Sequence, residues 1–332
     1  MNIEERRTFW KTLCSLEGTN PEEDCQKIRA SIQFPDKLYR YRSVSVSSID
    51  ALQTNRLFFS TANYYDDPFD TLIKIDYNAI RQQCQQILAP AVVGVYVDAL
   101  CKQLGSSEEE KAAMEEWIKS LPISDAIEKA VDHIKGKVQY ILKENIWSCC
   151  FSENGNNEVM WMKYADQYKG FCVIYDLKAD ENWYCGKQEK CRNCVVNNVG
   201  VSLYPIHYSD DGYDATQLAK DIVVGQVLQS IPPEIAKKLG AGFAIKPWEQ
   251  EKVALIKSEC HKYDEEWRMI LRGLAKEPIM MEWIPSGVIL GMKTTPQHRE
   301  TIVRSAKIAG ICHIYESYIN DESKLDVREI SV

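Results

Sequence analysis

Leu38-Tyr39-Arg40-Tyr41-Arg42-Ser43, followed by Leu57-Phe58-Phe59-Ser60, is the stretch whose reading decides the fold. Alternation along the first run predicts a strand with Arg40 and Arg42 on one face and Tyr39 and Tyr41 on the other. A short helix is expected over about Ser47 to Thr54, with Asn55 able to end it, and Leu57 to Ser60 reads as a second strand. That strand leads into the loop Ala62-Asn63-Tyr64-Tyr65-Asp66-Asp67-Pro68-Phe69-Asp70. The unit is therefore strand, helix, strand and acidic loop.

Upstream, two short helices open the chain. The second is marked by Asn20-Pro21-Glu22-Glu23, which combines a capping side chain, a first-turn proline and a glutamate three residues on. Downstream, about Tyr77 to Asn145 changes to helical periodicity, with Ala126, Ile127, Ala130, Val131, Ile134, Val138, Ile141 and Leu142 on one stripe. Ser107-Glu108-Glu109-Glu110 supplies a cap within it. Strand signals resume at Trp147 to Phe151, Gly170 to Tyr175, Val201 to Tyr208, Trp267 to Leu271, Gly287 to Leu290 and Ile311 to Tyr315. Helices are expected over Val159 to Gln167, Ala215 to Gln229, Pro247 to Cys260 and Pro296 to Ala306. The expected fold class is α+β: a mixed, mainly antiparallel sheet flanked by helices, with a helical insertion. The expected division is N-terminal helices over 1–33, a first core segment over 34–76, the insertion over 77–145, and the rest of the core over 146–332.

The composition is that of a folded chain. Its 332 residues are 45% hydrophobic, 27% charged and 10% aromatic, which excludes a largely disordered or fibrous protein. Forty basic residues against 48 acidic ones leave a net charge of -8, so no global positive field draws nucleic acid or anionic lipid. Met1 to Trp10 lacks the apolar stretch and cleavage site of a secretory signal, and Ile87 to Val97, interrupted by Pro90 and Gly94, falls short of the roughly 20 residues that span a bilayer. A cytoplasmic protein with no membrane partner is the expectation, and its 12 cysteines then read as reduced thiols.

Asp66, Asp67 and Asp70 place three carboxylates in five residues, beside Pro68, which fixes the turn. Such a loop can bind a divalent metal, hydrogen-bond a ribose, or cap its own backbone. Alternation through Asp264-Glu265-Glu266-Trp267-Arg268 aims Asp264, Glu266 and Arg268 at one face and Trp267 at the other. This is either a surface salt-bridge rung or a glutamate placed to stabilise an oxocarbenium-like centre. Ser152 to Trp161 is a polar loop entering a helix that carries Trp161 and Tyr164, either core aromatics or a stacking platform. Cys185, Cys191 and Cys194, in a polar loop at about 182–198, together with His207 have the donors for a structural zinc, although the first spacing is irregular for a zinc knuckle. There is no G-x-S-x-G, P-loop or G-x-G-x-x-G, which removes hydrolase, ATPase and dinucleotide readings of those kinds.

Leu38 to Ser43, Leu57 to Ser60, Asp67-Pro68-Phe69-Asp70, Cys150-Phe151-Ser152-Glu153, Met160-Trp161, Tyr164-Ala165, Lys169-Gly170-Phe171-Cys172 and Glu266-Trp267-Arg268 recur in an order that resembles the signature blocks of domain of unknown function 2971, a bacterial family. The resemblance covers roughly Phe34 to Tyr315 and departs at Asp66, Asp264 and His261. The order of strand, helix, strand ending in serine, and late acidic strand is also similar to ADP-ribosyltransferases of the DNA- or RNA-modifying toxin type. That resemblance implies NAD as substrate: Arg42, or Arg40, would grip it, Ser60 and Tyr64 would frame it, and Glu266 would be the catalytic glutamate. Tyr41, Asp67, Asp70, Trp161, Tyr164 and Arg268 complete the expected binding set.

The leading expectation is thus an NAD-dependent ADP-ribosyltransferase or NAD glycohydrolase, acting as a toxin or antiphage effector on a nucleic-acid or protein acceptor. The alternatives are a metal-dependent nuclease in which Asp67, Asp70, Asp264 and Glu266 converge on a divalent cation, and a noncatalytic module that binds a nucleotide or a protein.

Overall fold

The computed structural model describes residues 1–177, 202–229, 248–271 and 280–331. The fold is α+β, with a mixed, mostly antiparallel sheet flanked by helices. The chain divides into two compact units. One comprises Met1–Thr71, Lys143–Asp211 and Ala254–Val332; the other comprises Leu72–Leu142 and Gly212–Val253.

The first unit opens with α1 (Ile3–Ser15) and α2 (Pro21–Ala30). Asn2 caps α1 in a reciprocal box with Glu5, and Asn20 caps α2 with Pro21 in its first turn. Then come β1 (Lys37–Arg42), α3 (Val46–Gln53), β2 (Arg56–Phe58) and β3 (Ser60–Thr61). The expected run Leu57 to Ser60 is broken at Phe59, whose ring is fully buried, so that β2 and β3 join different sheets.

In the second unit, β4 (Ile73–Lys74) pairs in parallel with β9 (Tyr213–Asp214). The helices α4 (Tyr77–Ile87), α5 (Pro90–Leu104), α6 (Glu108–Ser120), α7 (Ile123–Ile134) and α10 (Thr216–Leu228) belong to it. Ile80, Val97, Ile127, Val131, Val223 and Val224 are among its core residues, which places one face each of α4, α5, α7 and α10 in a common interior. Among the described residues no helix is long and apolar enough to cross a membrane.

The remaining elements are α8 (Val138–Asn145), β5 (Trp147–Ser152), α9 (Glu158–Tyr164), β6 (Phe171–Asp176), β7 (Leu203–Pro205), β8 (His207–Tyr208), α11 (Glu249–Ala254), β10 (Ile256–Lys257), β11 (Glu266–Leu271), β12 (Met280–Glu282), β13 (Gly287–Leu290), α12 (Pro296–Ile308), β14 (Ile314–Ile319) and β15 (Leu325–Glu329). The helix expected over Pro247 to Cys260 ends at Ala254: Ile256 and Lys257 form a strand parallel to His207 and Tyr208, and Glu259–Asp264 is a 3₁₀ helix.

The main sheet of the first unit has the order β15-β14-β13-β6-β1-β5-β11-β7, with β3 also beside β5. Its register sets the faces. Leu38, Val173, Tyr175, Phe151, Trp267 and Met269 look into a core closed by Leu52 of α3 and by Ile302 and Ala306 of α12. On the opposite face Tyr41, Cys172, Ile174 and Ile289 pack under Met160 and Trp161 of α9. A fully buried tryptophan or phenylalanine on either face contributes about 3–5 kcal/mol relative to alanine.

The pairing of β5 changes partner midway. At Ser152 its neighbour is Tyr39 of β1; at Ser148 and Trp147 it is Ser60 and Thr61 of β3. β1 has therefore diverged before β3 arrives, and the sheet forks along Cys149 to Phe151. This fork positions the site.

Candidate functional site

A cavity of about 260 Å³ lies at the fork, lined by Tyr39 to Arg42 of β1, Ser148 to Ser152 of β5, Ser60, and Tyr64 to Asp67 and Asp70 of the acidic loop. Tyr164 and Met160 of α9, Lys257, Asp264, Glu266 and Arg268 complete its wall. Its size is just below the range of about 300–1,000 Å³ typical of ligand pockets.

At the β11 end five charged side chains form one buried network. Arg268, 0% exposed, spends all of its N–H donors within the protein: Nη1 and Nη2 meet Asp70 Oδ1 and Oδ2 at 3.1 and 3.0 Å, Nε and Nη2 meet Glu266 Oε1 at 3.0 and 2.6 Å, and Nη1 also reaches the carbonyl of Ala254 at 2.6 Å. Lys257 Nζ donates to Glu266 Oε2 and to Asp264 Oδ2, each at 2.7 Å. The guanidinium of Arg268 also lies over the Tyr65 ring at 4.8 Å, and the Tyr65 hydroxyl is hydrogen-bonded to Ser148.

These neighbours decide the protonation states. Burial works against the charge on Glu266, but Arg268 and then Lys257 outweigh it and hold its carboxyl well below the usual range. Burial likewise opposes the charge on Lys257, and Glu266, Asp70 and Asp264 overcome it, so the ammonium stays charged. Asp264 goes the other way, its carboxyl raised by burial with Lys257 opposing. Asp264 is 2% exposed and its Oδ1 has no hydrogen-bond partner. A buried acceptor left open in a cavity wall costs free energy until a donor reaches it.

At the β1 end the charge is positive and uncompensated. Arg40 donates to the carbonyl of Phe58 at 3.3 Å, and neither Arg40 nor Arg42 has a carboxylate partner among the described residues. The Arg40 charge, followed by burial, lowers the Arg42 guanidinium to about 10. Cys149 and Tyr175, close by, are held protonated by burial and bring no counter-charge. The two ends are separated by β5, two strand spacings or roughly 10 Å at the backbone.

The expected site residues are only partly gathered. Arg40, Arg42, Tyr41, Ser60, Tyr64, Asp67, Asp70, Tyr164, Glu266 and Arg268 all line the cavity. Tyr64 is a rim residue, 81% exposed, and burial pushes the Tyr164 phenol up to about 12. Trp161 does not line the cavity. It is fully buried, edge-on to Tyr41 at 5.2 Å with its indole N–H on the Gly155 carbonyl, and so anchors α9 to the sheet. The register also puts Arg42 and Glu266 on opposite faces of the sheet, because Tyr39, not Arg40, shares a face with Ser152 and Glu266. The two ends reach one cavity through the fork.

Asp264 is not the first residue of a strand, as alternation had it. It closes the 3₁₀ helix, and Glu265 follows in the left-handed region at φ 45° before β11 begins. Lys257, the hub of the network, was hidden in the expected helix, where a lysine reads as a solvated residue; Tyr65 and Ser148 carried no signal of their own. Asp70, Asp264 and Glu266 do converge, but on the protein's own ammonium and guanidinium, which occupy the position a cation takes in the nuclease reading. Cys185, Cys191 and Cys194, the thiolates of the expected zinc site, lie outside the described residues. His207 stacks on Trp10 at 4.9 Å, and burial and Arg7 lower its imidazole to about 4.

No family model, curated protein or solved structure matches the chain.

Proposed function

We propose that this protein binds NAD in the forked cavity and cleaves its nicotinamide–ribose bond, as an NAD glycohydrolase or ADP-ribosyltransferase. The observation that carries the reading is the separation of charge along one cavity: two unneutralised arginines at one end, a net-negative carboxylate network at the other. NAD carries the complementary pattern, an anionic pyrophosphate and a cationic nicotinamide riboside. Arg40 and Arg42 take the pyrophosphate. Glu266, locked as an anion by Arg268 and Lys257, supplies a fixed negative charge where positive charge grows on the ribose, and the open Asp264 Oδ1 accepts a hydrogen bond from the bound ribose or nucleophile.

In the step itself the bond between ribose C1′ and the pyridinium nitrogen breaks, and its electron pair neutralises that nitrogen as nicotinamide leaves. An O–H nucleophile, water or an acceptor group on nucleic acid or protein, forms the new bond to C1′ and gives up one proton. The test is nicotinamide release from NAD by wild type, Arg42→Gln and Asp264→Asn, with and without added cellular protein, DNA and RNA. Release by wild type, reduced at least 100-fold in both variants, is expected. Wild-type protein that neither releases nicotinamide under any of these conditions nor binds NAD by calorimetry overturns the reading.

A further inference from the structure

His261 lies between two of the carboxylates that line the cavity, close to both and hydrogen-bonded to neither. Its Nε2 is 3.1 Å from Asp67 Oδ2 and its Nδ1 is 3.7 Å from Asp264 Oδ2, with the Tyr263 hydroxyl at 3.4 Å from the same Nδ1. The placement follows from local structure. In a 3₁₀ helix residues three apart eclipse, so the helix Glu259–Asp264 stacks His261 over Asp264. On the opposite side the loop is closed by Asp67 Oδ1, which accepts the Phe69 N–H at 2.9 Å, while Oδ2, 3.1 Å from His261 Nε2, is a buried acceptor without a hydrogen-bond partner. A neutral imidazole has one N–H and can serve only one of these carboxylates; a second proton lets it serve both. The imidazole therefore stands between the buried carboxylate of Asp264 and the solvent, which its side chain, 15% exposed, can reach.

We propose that His261 is the proton relay of this site: it takes, through Asp264, the proton that the attacking nucleophile loses, and passes it to solvent. The inference rests on the NAD-cleaving reading above. The O–H proton of the nucleophile moves to the open Asp264 Oδ1 as the C1′–O bond forms. A half-turn of the carboxyl group about Cβ–Cγ presents it to His261 Nδ1, and Asp67 holds the ring through Nε2 while the imidazolium forms. Release to water restores the neutral ring and the Asp264 anion. His261 acts through Asp264 and is a positioning and relay residue rather than one that touches the substrate.

Chemical rescue tests this. His261→Ala is expected to lower kcat at least tenfold while KM for NAD stays within twofold, and added imidazole is expected to restore kcat, more strongly as the basicity of substituted imidazoles rises. A structural role gives no such dependence. Wild-type kcat in His261→Ala, or a loss that no imidazole rescues in protein with an unchanged thermal midpoint, overturns the relay while leaving NAD cleavage standing. A second measurement does not depend on turnover: in the full chain, the Nδ1 resonance of His261 in ¹⁵N spectra is expected to move on Asp264→Asn and the Nε2 resonance on Asp67→Asn. Resonances indifferent to both substitutions remove the placement of His261 between the two carboxylates. Absence of nicotinamide release by wild type would instead count against the NAD reading, and the relay in turnover would fall with it.

Discussion

Asp70 and Arg268 meet end-on, two carboxylate oxygens against Nη1 and Nη2 at 3.1 and 3.0 Å, with Asp70 2% and Arg268 0% exposed. This fork-to-fork pair ties the acidic loop to the sheet, so the wall of the cavity and its charged floor are one structure. Removing one partner leaves the other charge buried. Asp70→Ala is expected to lower the free energy of unfolding by about 3–5 kcal/mol, read from urea denaturation. A loss below about 1 kcal/mol would mean the pair is open in solution.

Glu266→Gln should cost stability as well as activity. The carboxyl of Glu266 is held below its ordinary value in the folded state, so its contribution is fully present above the unfolded carboxylate range, near about 4.3, and is lost as pH falls toward its folded value. Asp264, raised by burial, has the opposite sign: its ionisation disfavours the fold, and its protonation on acidification offsets part of the loss. Urea midpoints between pH 6 and 3 are expected to fall more steeply for wild type than for Glu266→Gln. Parallel curves would show that Glu266 is not the acid-sensitive group.

Arg42 presents a trade between stability and binding. Its guanidinium is depressed to about 10 by Arg40 and by burial, which means the charged form is disfavoured in the fold at neutral pH. Arg42→Gln is expected to stabilise the protein by on the order of 1 kcal/mol, after allowance for solvent screening, and to weaken NAD binding at least tenfold. Thermal melts and calorimetry on the same samples check both halves. A destabilised variant that still binds NAD contradicts the assignment.

Glu265 holds a left-handed backbone at φ 45°, and its Oε2 is buried without a hydrogen-bond partner. Glycine takes that conformation freely, so Glu265→Gly is expected to stabilise the chain by about 0.5–1 kcal/mol, after its cost in unfolded-chain entropy. Because the turn at Glu265 sets Asp264 against Glu266, the crossing of Lys257 between them should survive. A loss of stability would show that the side chain itself is needed.

Much of the sheet was legible because its strands are short runs rich in aromatic and β-branched residues: β1, β5, β6, β11 and β13 fall within a residue or two of the stretches read as strands. The helix start at Pro21 was legible from Asn20, whose side chain caps it, as that of Thr295 caps the helix at Pro296. Other features were not. The strand Leu325–Glu329 is short and largely charged, and only Leu325 and Val327 hint at its alternation. The end of α11 at Ala254 has no glycine or proline to announce it, so Lys257 stayed hidden among helical residues. The cavity was invisible for a more general reason. Alternation assigns faces within a strand, whereas a fork depends on which strand stands beside which at each step, and no single segment carries that.

The fork has one consequence of its own. Between Tyr39 and Ser60 no described strand pairs with the edge of β5 that faces β1 and β3, whereas β11 pairs along its other edge throughout, so that one edge of β5 borders the cavity along Cys149 to Phe151 as an unfinished ladder. A carboxamide offers an N–H and a C=O in the same disposition as a peptide group. In the proposed NAD reading the nicotinamide ring carries such a group, which at this edge would complete the rung that β1 leaves and β3 does not reach. Recognition of the leaving group would then be a matter of main-chain pairing, insensitive to side-chain substitution and lost when the carboxamide is replaced by an ester.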